Sequence, residues 1–364
     1  MLITRIETCP LFGTIHPDRA IVSALGRHVV GNYLLVKVHD DAGRVGLGEA
    51  SVTSVWSGET QGGARILIEE VLAPLLIGVD PHDSEWIGRR LDQAAYGNSF
   101  AKAALEMALL DLQGQALGLP LHKLLGGSRP GRADVRLKFV IGARDPDDAA
   151  RLAFSMVEQG WTALKVKIGR HEHPRWDLAR LEAVRTAVGP DVWLSVDANG
   201  GYTVAQALWI APHLERLGVT LFEQPTRRGD HLAMAAVRRR SGVPIMADES
   251  LFTPQDALDL IRHEAADVFS VYPGKHGGVR PTQAIARLAE AAGIPCTIGS
   301  NLEREVATAA MAHVAAATPN IQCETFPGDL IGPLYFTESL TQPGLSYQAD
   351  RLLVPQEPGL GVKL

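Results

Sequence analysis

"ALKVKIG", residues 163–169, reads as a short buried strand with two lysines set into it. Ala163, Leu164, Val166 and Ile168 are apolar. Strand side chains alternate faces with a period of two, so Lys165 and Lys167 point the same way. Two ammonium groups side by side in an apolar strand are costly to bury, which asks for a purpose. The run is one of a series. From Val135 onward, short apolar runs alternate with helical segments: "VRLKFVI", "ALKVKI", "VWLSVDA", "VTLFEQ", "VPIMADE", "DVFSVYP", "IPCTIG" and "NIQCE". Asp145-Pro146 and Thr253-Pro254 are helix starts, and Gly160 is a stop. Eight strands alternating with helices predict a closed parallel (β/α) barrel. The competitor, a doubly wound open sheet, usually carries a Gly-rich turn after its first strand, and "VIGARDP" contains no GxGxxG.

Ahead of this series the pattern is different. "LITRIET", "NYLLVKVHD" and "RVGLGEA" have strand composition, with a turn signal in "DDAG", residues 40–43. The polar segment from Phe12 to Gly31 is long for a connection, and such loops are often lids. "SFAKAALEMALLDLQGQALG" carries Ala101, Leu105, Ala108, Leu109 and Leu112 at helical spacing and stops at Gly118 and Pro120. The stretch after Gly328 is rich in Pro and Gly and is expected to return to the N-terminal region. The expected division is an α+β domain over residues 1–130, the barrel over 131–327, and a returning segment over 328–364.

The composition narrows the function. A charge of -6 leaves no basic footprint for nucleic acid or membrane. No apolar run approaches transmembrane length, and "MLITRIETCP" lacks a signal-peptide pattern. The three cysteines, Cys9, Cys296 and Cys323, are odd in number and widely spaced. They argue against a disulfide framework or zinc site and for a reducing cytoplasm. A small-molecule partner and a homo-oligomeric enzyme are expected.

Barrels of this kind place their chemistry at the C-terminal strand ends. Those ends carry Lys165 and Lys167, then Asp197 with Asn199, Glu223, Asp248 with Glu249, and Lys275. The intervals from Lys167 through Asp197, Glu223 and Asp248 to Lys275 are 30, 26, 25 and 27 residues, each about one strand–helix unit. Three inward carboxylates cannot stay ionised together in a small cavity without a cation. With no His or Cys nearby, they favour a hard ion: Mg2+, with Mn2+ able to substitute. A single such acid would more often be a helix N-cap, but that reading must then hold three times at even spacing. A second cation beside a buried lysine disfavours its charged form, so Lys165 is expected to tune Lys167 as a general base. The alternative is a structural network in which both lysines pair with Asp197 and Glu223. Lys275, across the barrel, can address the other face of a substrate. "HEH", residues 171–173, falls outside this register and reads as a surface loop.

The ordered set "GEA" (48–50), "ALLDLQGQALGLPLHKLLGG", "KVK", "VDAN", "FEQP", "ADES", "KHGG" and "GPLYF" resembles the enolase superfamily, specifically its muconate-lactonizing-enzyme-like subgroup. The resemblance spans nearly the whole chain. It implies a (β/α)7β TIM-like barrel with an α+β capping domain formed by the N-terminal region and the C-terminal segment. It implies Asp197, Glu223 and Asp248 as Mg2+ ligands and Lys167 and Lys275 as an acid/base pair. The substrate would be a carboxylate whose α-proton is exchanged through a metal-stabilised enolate. "IPCTIGSN" lacks the strand-7 His of the mandelate-racemase subgroup, and "CETFPG" lacks the Asp-x-Asp of dipeptide epimerases. "SVTSVWSGET" resembles a cycloisomerase capping loop, in which Trp56 would contact substrate, and "SNLERE" places Glu303 near it. The expectation is a Mg2+-dependent isomerase, either cycloisomerase or racemase/epimerase. A syn-dehydratase shares the same intermediate. A non-catalytic carboxylate-binding barrel and a Schiff-base aldolase are alternatives from other classes.

Overall fold

The computed structural model describes residues 1–28, 30–127 and 133–364. Its N-terminal sheet contains β1 (Ile3–Thr14). The hairpin β2 (Ile21–Ser23) and β3 (Gly26–His28) follows, and then β4 (Val30–Asp40) and β5 (Val45–Val52). The antiparallel order is β1-β4-β5, with β2 and β3 paired separately. "DDAG" makes the expected turn: the Asp40 carboxylate accepts from the backbone N–H groups of Ala42 (3.0 Å) and Arg44 (2.8 Å), and Gly43 takes a positive φ. The helix Ser99–Leu117 ends at Gly118 in the left-handed conformation, as the sequence predicts. It lies so close on β5 that a Cβ at Gly48 would sit 1.8 Å from the carbonyl oxygen of Ala104.

The segment from Phe12 to Gly31 is not the long connection expected from its polarity. β1 and β4 stay paired as far as Thr14 and Val30, and the short hairpin fills most of the interval. Its apolar residues Ile15, Ile21 and Leu25 face a cavity.

Seven parallel strands form the barrel sheet: after β6 (Asp134–Arg136) come β7 (Phe139–Ile141), β8 (Ala163–Lys167), β9 (Trp193–Asp197), β10 (Leu221–Glu223), β11 (Ile245–Ala247), β12 (Val268–Val271) and β13 (Cys296–Ile298), paired in order from β7 to β13. Helices alternate with them, and Thr253 caps Pro254–Arg262 through a reciprocal box with Asp256. "VRLKFVI" is not one strand. β6 turns away to pair antiparallel with β15 (Arg351–Leu353), which also pairs with β14 (Tyr347–Gln348). β7 alone enters the barrel. The eighth run contributes only a bridge, Ile321 to Cys296, and a second bridge from Leu137 to Gly328 completes the circuit. The 1–130/131 boundary expected from the sequence lies outside the described residues.

The C-terminal residues reach both parts. Phe336 bridges to Ile15, Gly359 bridges to Pro120, and the Leu360 N–H donates to the Asp111 carboxylate at 2.7 Å. Buried carboxylates also tie the N-terminal domain to barrel helices. Glu49 accepts from the Arg304 (2.7 Å) and Ala307 (3.1 Å) N–H groups at the start of helix Glu305–Ala317. Glu106 accepts from Val279 and Arg280 at the start of Val279–Ala291. Cys9, Cys296 and Cys323 form no disulfide. Among the described residues no helix is long and apolar enough to cross a membrane.

Candidate active site

A cavity of about 180 Å³ lies between the C-terminal strand ends and the N-terminal domain. The register places its charged residues. Lys167 pairs with Asp197 across β8 and β9, Asp197 with Glu223 across β9 and β10, and Asp248 follows directly on β11. Lys165, Lys167, Asp197, Asn199, Glu223 and Asp248 all line the cavity.

Each carboxylate of the trio is turned toward a lysine. Lys167 is ion-paired with Asp197. The Lys165 ammonium lies 3.0 Å from Glu223 and 3.8 Å from Asp197. Lys275 donates to the Asp248 carboxylate at 2.6 Å and to the Ser270 and Asp248 carbonyls at 2.7 and 3.0 Å. It sits beyond β12 in a one-turn helix, Pro273–His276, rather than on the strand, and its side chain is 0% exposed against 13% for Lys167. As they stand, no three His, Cys, Asp or Glu side chains among the described residues are arranged to grip a metal ion.

The lysine partners do not fully neutralise the cluster. Burial, reinforced by Asp197, pushes the Glu223 carboxyl up to about 7. Burial and the adjacent Asp248 push Glu249 to about 8, although Asn199 donates to Glu249 at 2.8 Å. The other Glu249 oxygen is buried with no hydrogen-bond partner. Lys165 moves the other way. Burial opposes its charge, but Asp329, Glu223 and Asp197 outweigh burial and hold it well above the ordinary lysine range. The ionic network weighed against catalysis in the sequence is therefore present, and Lys165 is its fixed cation.

Asp329 was missed in the sequence. It lines the cavity, accepts from Lys165 at 2.8 Å and lies 3.1 Å from Lys138. Burial opposes its ionisation, yet Lys138 and Lys165 hold its carboxyl below the usual range. A signal was available: Lys275 to Glu303 is 28 residues and Glu303 to Asp329 is 26, continuing the earlier spacing. Lys138, from the run "VRLKFVI", is fully buried against this acid.

Glu303 is buried and accepts from the Ser300 hydroxyl (2.6 Å) and the Asn301 N–H (2.9 Å). It braces the loop whose neighbours Ser300 and Asn301 reach the cavity. Trp56 does line the cavity, and its ring also packs on Phe252 (5.0 Å), Tyr272 (5.9 Å) and Phe100 (6.0 Å). Arg228 donates to the Trp56 carbonyl at 2.8 Å and stands over the Phe252 ring, so the barrel holds this loop down. Asn199, Gln224 and Leu302 all adopt positive φ beside the site. Such strain persists only when neighbours over-determine it: the Gln224 amide is held by Thr226, Asp248 and Ser250. His171, Glu172 and His173 are exposed.

Residues 148–364 match the family described as enolase C-terminal domain-like, and residues 13–126 match the mandelate racemase/muconate lactonizing enzyme N-terminal domain. The L-Ala-D/L-Glu epimerase of Bacillus subtilis (strain 168) is 33% identical, with 100% of this chain and 97% of that protein covered. Muconate cycloisomerase 1-1 of Acinetobacter lwoffii is 35% identical over 100% of this chain and 94% of its own. The dipeptide epimerase of Enterococcus faecalis V583, solved with Mg and L-Leu-L-Tyr, superposes with a TM-score of 0.94 at 32% identity, covering 100% of both chains.

Proposed function

We infer that this chain, which belongs to the mandelate racemase/muconate lactonizing enzyme family of the enolase superfamily, is an isomerase that moves the α-proton of a small carboxylate with Mg2+ and two lysines. The carrying observation is strand order. β9, β10 and β11, with one carboxylate each, lie between β8 and β12, whose ends bring Lys167 and Lys275. A substrate over the carboxylates would have one lysine on each side.

The donor set fits a hard divalent cation. Three carboxylates occupy adjacent strand ends, and a buried Glu249 oxygen beside them has no partner. Asp197, Glu223 and Asp248 would hold the ion, and bound Mg2+ supplies Lewis-acid stabilisation of the charge that grows on the substrate carboxylate. Lys167 is ion-paired with Asp197 and reaches the cavity from the end of β8. Lys167 then takes the α-proton at Nζ, and Lys275 returns one at Nζ to the opposite face. Asn199 and Gln224 hold the strand-end loops in place, and Trp56 excludes water above them.

A second reading rests on Lys275, which is fully buried and does not line the cavity. As a spectator that only offsets charge, it would suit one-sided chemistry, cycloisomerisation above all. Exchange of α-protons from a carboxylate library in D2O, with product stereochemistry, tests both readings. Mg2+-dependent exchange with inversion supports the first, exchange with retention the second. Undiminished turnover in excess chelator would remove the metal from either.

A further inference from the structure

The cavity has two unlike walls. Its charged lining residues, Lys165, Lys167, Asp197, Glu223, Asp248 and Asp329, all come from the barrel and its closing segment. The wall opposite, built from the hairpin, β4 and the Trp56 loop, is lined by apolar residues such as Ile15, Ile21, Leu25 and Val30, with Ser23 and Asn32 among them. Among the described residues it presents no charged side chain to the cavity.

Charged groups do lie near this seam, but each is committed elsewhere. Arg228 is bound to the Trp56 carbonyl and stands over Phe252. Arg304 reaches Glu305 at 3.3 Å and the Glu338 carbonyl at 2.7 Å, with its guanidinium over Phe336. Glu59 accepts from the Phe100 and Ala101 N–H groups at 3.0 and 3.1 Å. Glu303 is spent on Ser300 and Asn301. Arg19 donates to the Leu334 carbonyl.

We propose that the substrate is a carboxylate whose remainder is uncharged, a short and largely apolar body with at most neutral hydrogen-bonding groups. This rests on the α-proton isomerase reading of the same site. A substrate carboxylate would be met at the charged floor. A second carboxylate, as in muconate, or a terminal ammonium, as in a dipeptide, would be desolvated against a wall with no counter-charge. A neutral amide loses nothing comparable, because Asn32 and Ser23 can exchange hydrogen bonds with it.

The test uses three leucine derivatives whose short acyl tails differ by the charged group they carry: N-propionyl-leucine (none), alanyl-leucine (an ammonium) and N-succinyl-leucine (a second carboxylate). The Mg2+-loaded full chain is assayed for α-proton exchange in D2O, and binding is read separately by thermal shift. N-propionyl-leucine should lead both charged compounds by about tenfold or more in kcat/KM, and should give the largest shift. Asn32→Lys should then raise N-succinyl-leucine relative to the neutral compound at least fivefold, and Asn32→Asp should do so for alanyl-leucine. If either charged compound matches or exceeds the neutral one in the unaltered protein, the inference is wrong and the parent reading stands. If none of the three exchanges while a charged member of the wider carboxylate library does, the inference is wrong; if no carboxylate in that library exchanges, the parent reading fails and takes the inference with it.

Discussion

The barrel floor of the cavity and the wall that faces it differ in how each side chain is held. On the floor almost every polar group is fixed by another: Lys165 by Glu223 and Asp329, Asn199 by Asp197 and Glu249, Gln224 by the backbone of Thr226 in its own loop and of Asp248 after β11. The facing wall is a two-stranded hairpin, β4 and a loop, which among the described residues are joined to the barrel by bonds such as Arg228 to Trp56, Asn301 to Ser51 and Thr53, and Ala143 to Val22. Change on the floor propagates through a buried ionic network. Change on the wall alters what fits. One fold can therefore keep a proton-transfer apparatus while its substrate varies.

The sharpest way to break this comparison is at the lysines. Lys167→Ala should lower α-proton exchange about 10²–10⁴-fold for one enantiomer, and Lys275→Ala should do the same for the other, with the fold retained. If Lys275→Ala slows turnover but leaves exchange of the reactive proton intact, the floor works from one side only. Stereospecific deuterium incorporation, read by mass spectrometry on resolved enantiomers, decides.

Asp329→Asn should be felt in stability. It would leave Lys138 and Lys165 buried without their shared acid, which typically costs about 3–5 kcal/mol. A denaturant titration measures it. A change below about 1 kcal/mol would mean that the floor is far less interlocked than its contacts imply.

Arg228→Met probes the wall. Freed from its latch, the Trp56 loop should open more often, lowering kcat/KM by about tenfold while stability changes little, and Arg228→Lys should recover part of the loss. Equal losses in both variants with unchanged partitioning between kcat and KM would place Arg228 in packing alone.

The last effect lies at the seam between the domains and is read as a pH slope. Burial pushes the Glu49 carboxyl up to about 8, whereas an unfolded glutamate titrates near about 4.3. Between those values the folded chain holds a proton that the unfolded chain has released. Glu49 therefore makes stability fall as pH rises from about 5 to about 8. In Glu49→Gln that slope should flatten, as followed by melting temperature at pH 6, 7 and 8.

Much of the floor was legible in the sequence because one strand–helix unit fixes the spacing of its acids, so Asp197, Glu223 and Asp248 announced one another. Asp329 obeyed the same spacing, but it lies in the Pro- and Gly-rich stretch assigned to the returning segment, where no apolar run marks a strand. The facing of Lys138 is not legible from sequence, because "VRLKFVI" is continuously apolar apart from its cations and nothing in it shows that β6 and β7 separate. The wall was the least legible part. Its hairpin strands are three residues each, and the turn at Ala24 and Leu25 carries none of the Asn-Gly punctuation that marks a tight hairpin. Its neutrality emerges only when the partner of each nearby Arg and Glu is known.

The bond from Leu360 to Asp111 joins residues 249 positions apart. A ribosome adding about 5–20 residues per second needs roughly 12–50 s to travel from one to the other. For that interval Asp111 in the helix Ser99–Leu117 has, among the described residues, only Leu47 and Gln115 as donors. A nascent chain stalled before Gly359 would hold the N-terminal domain without this later bond.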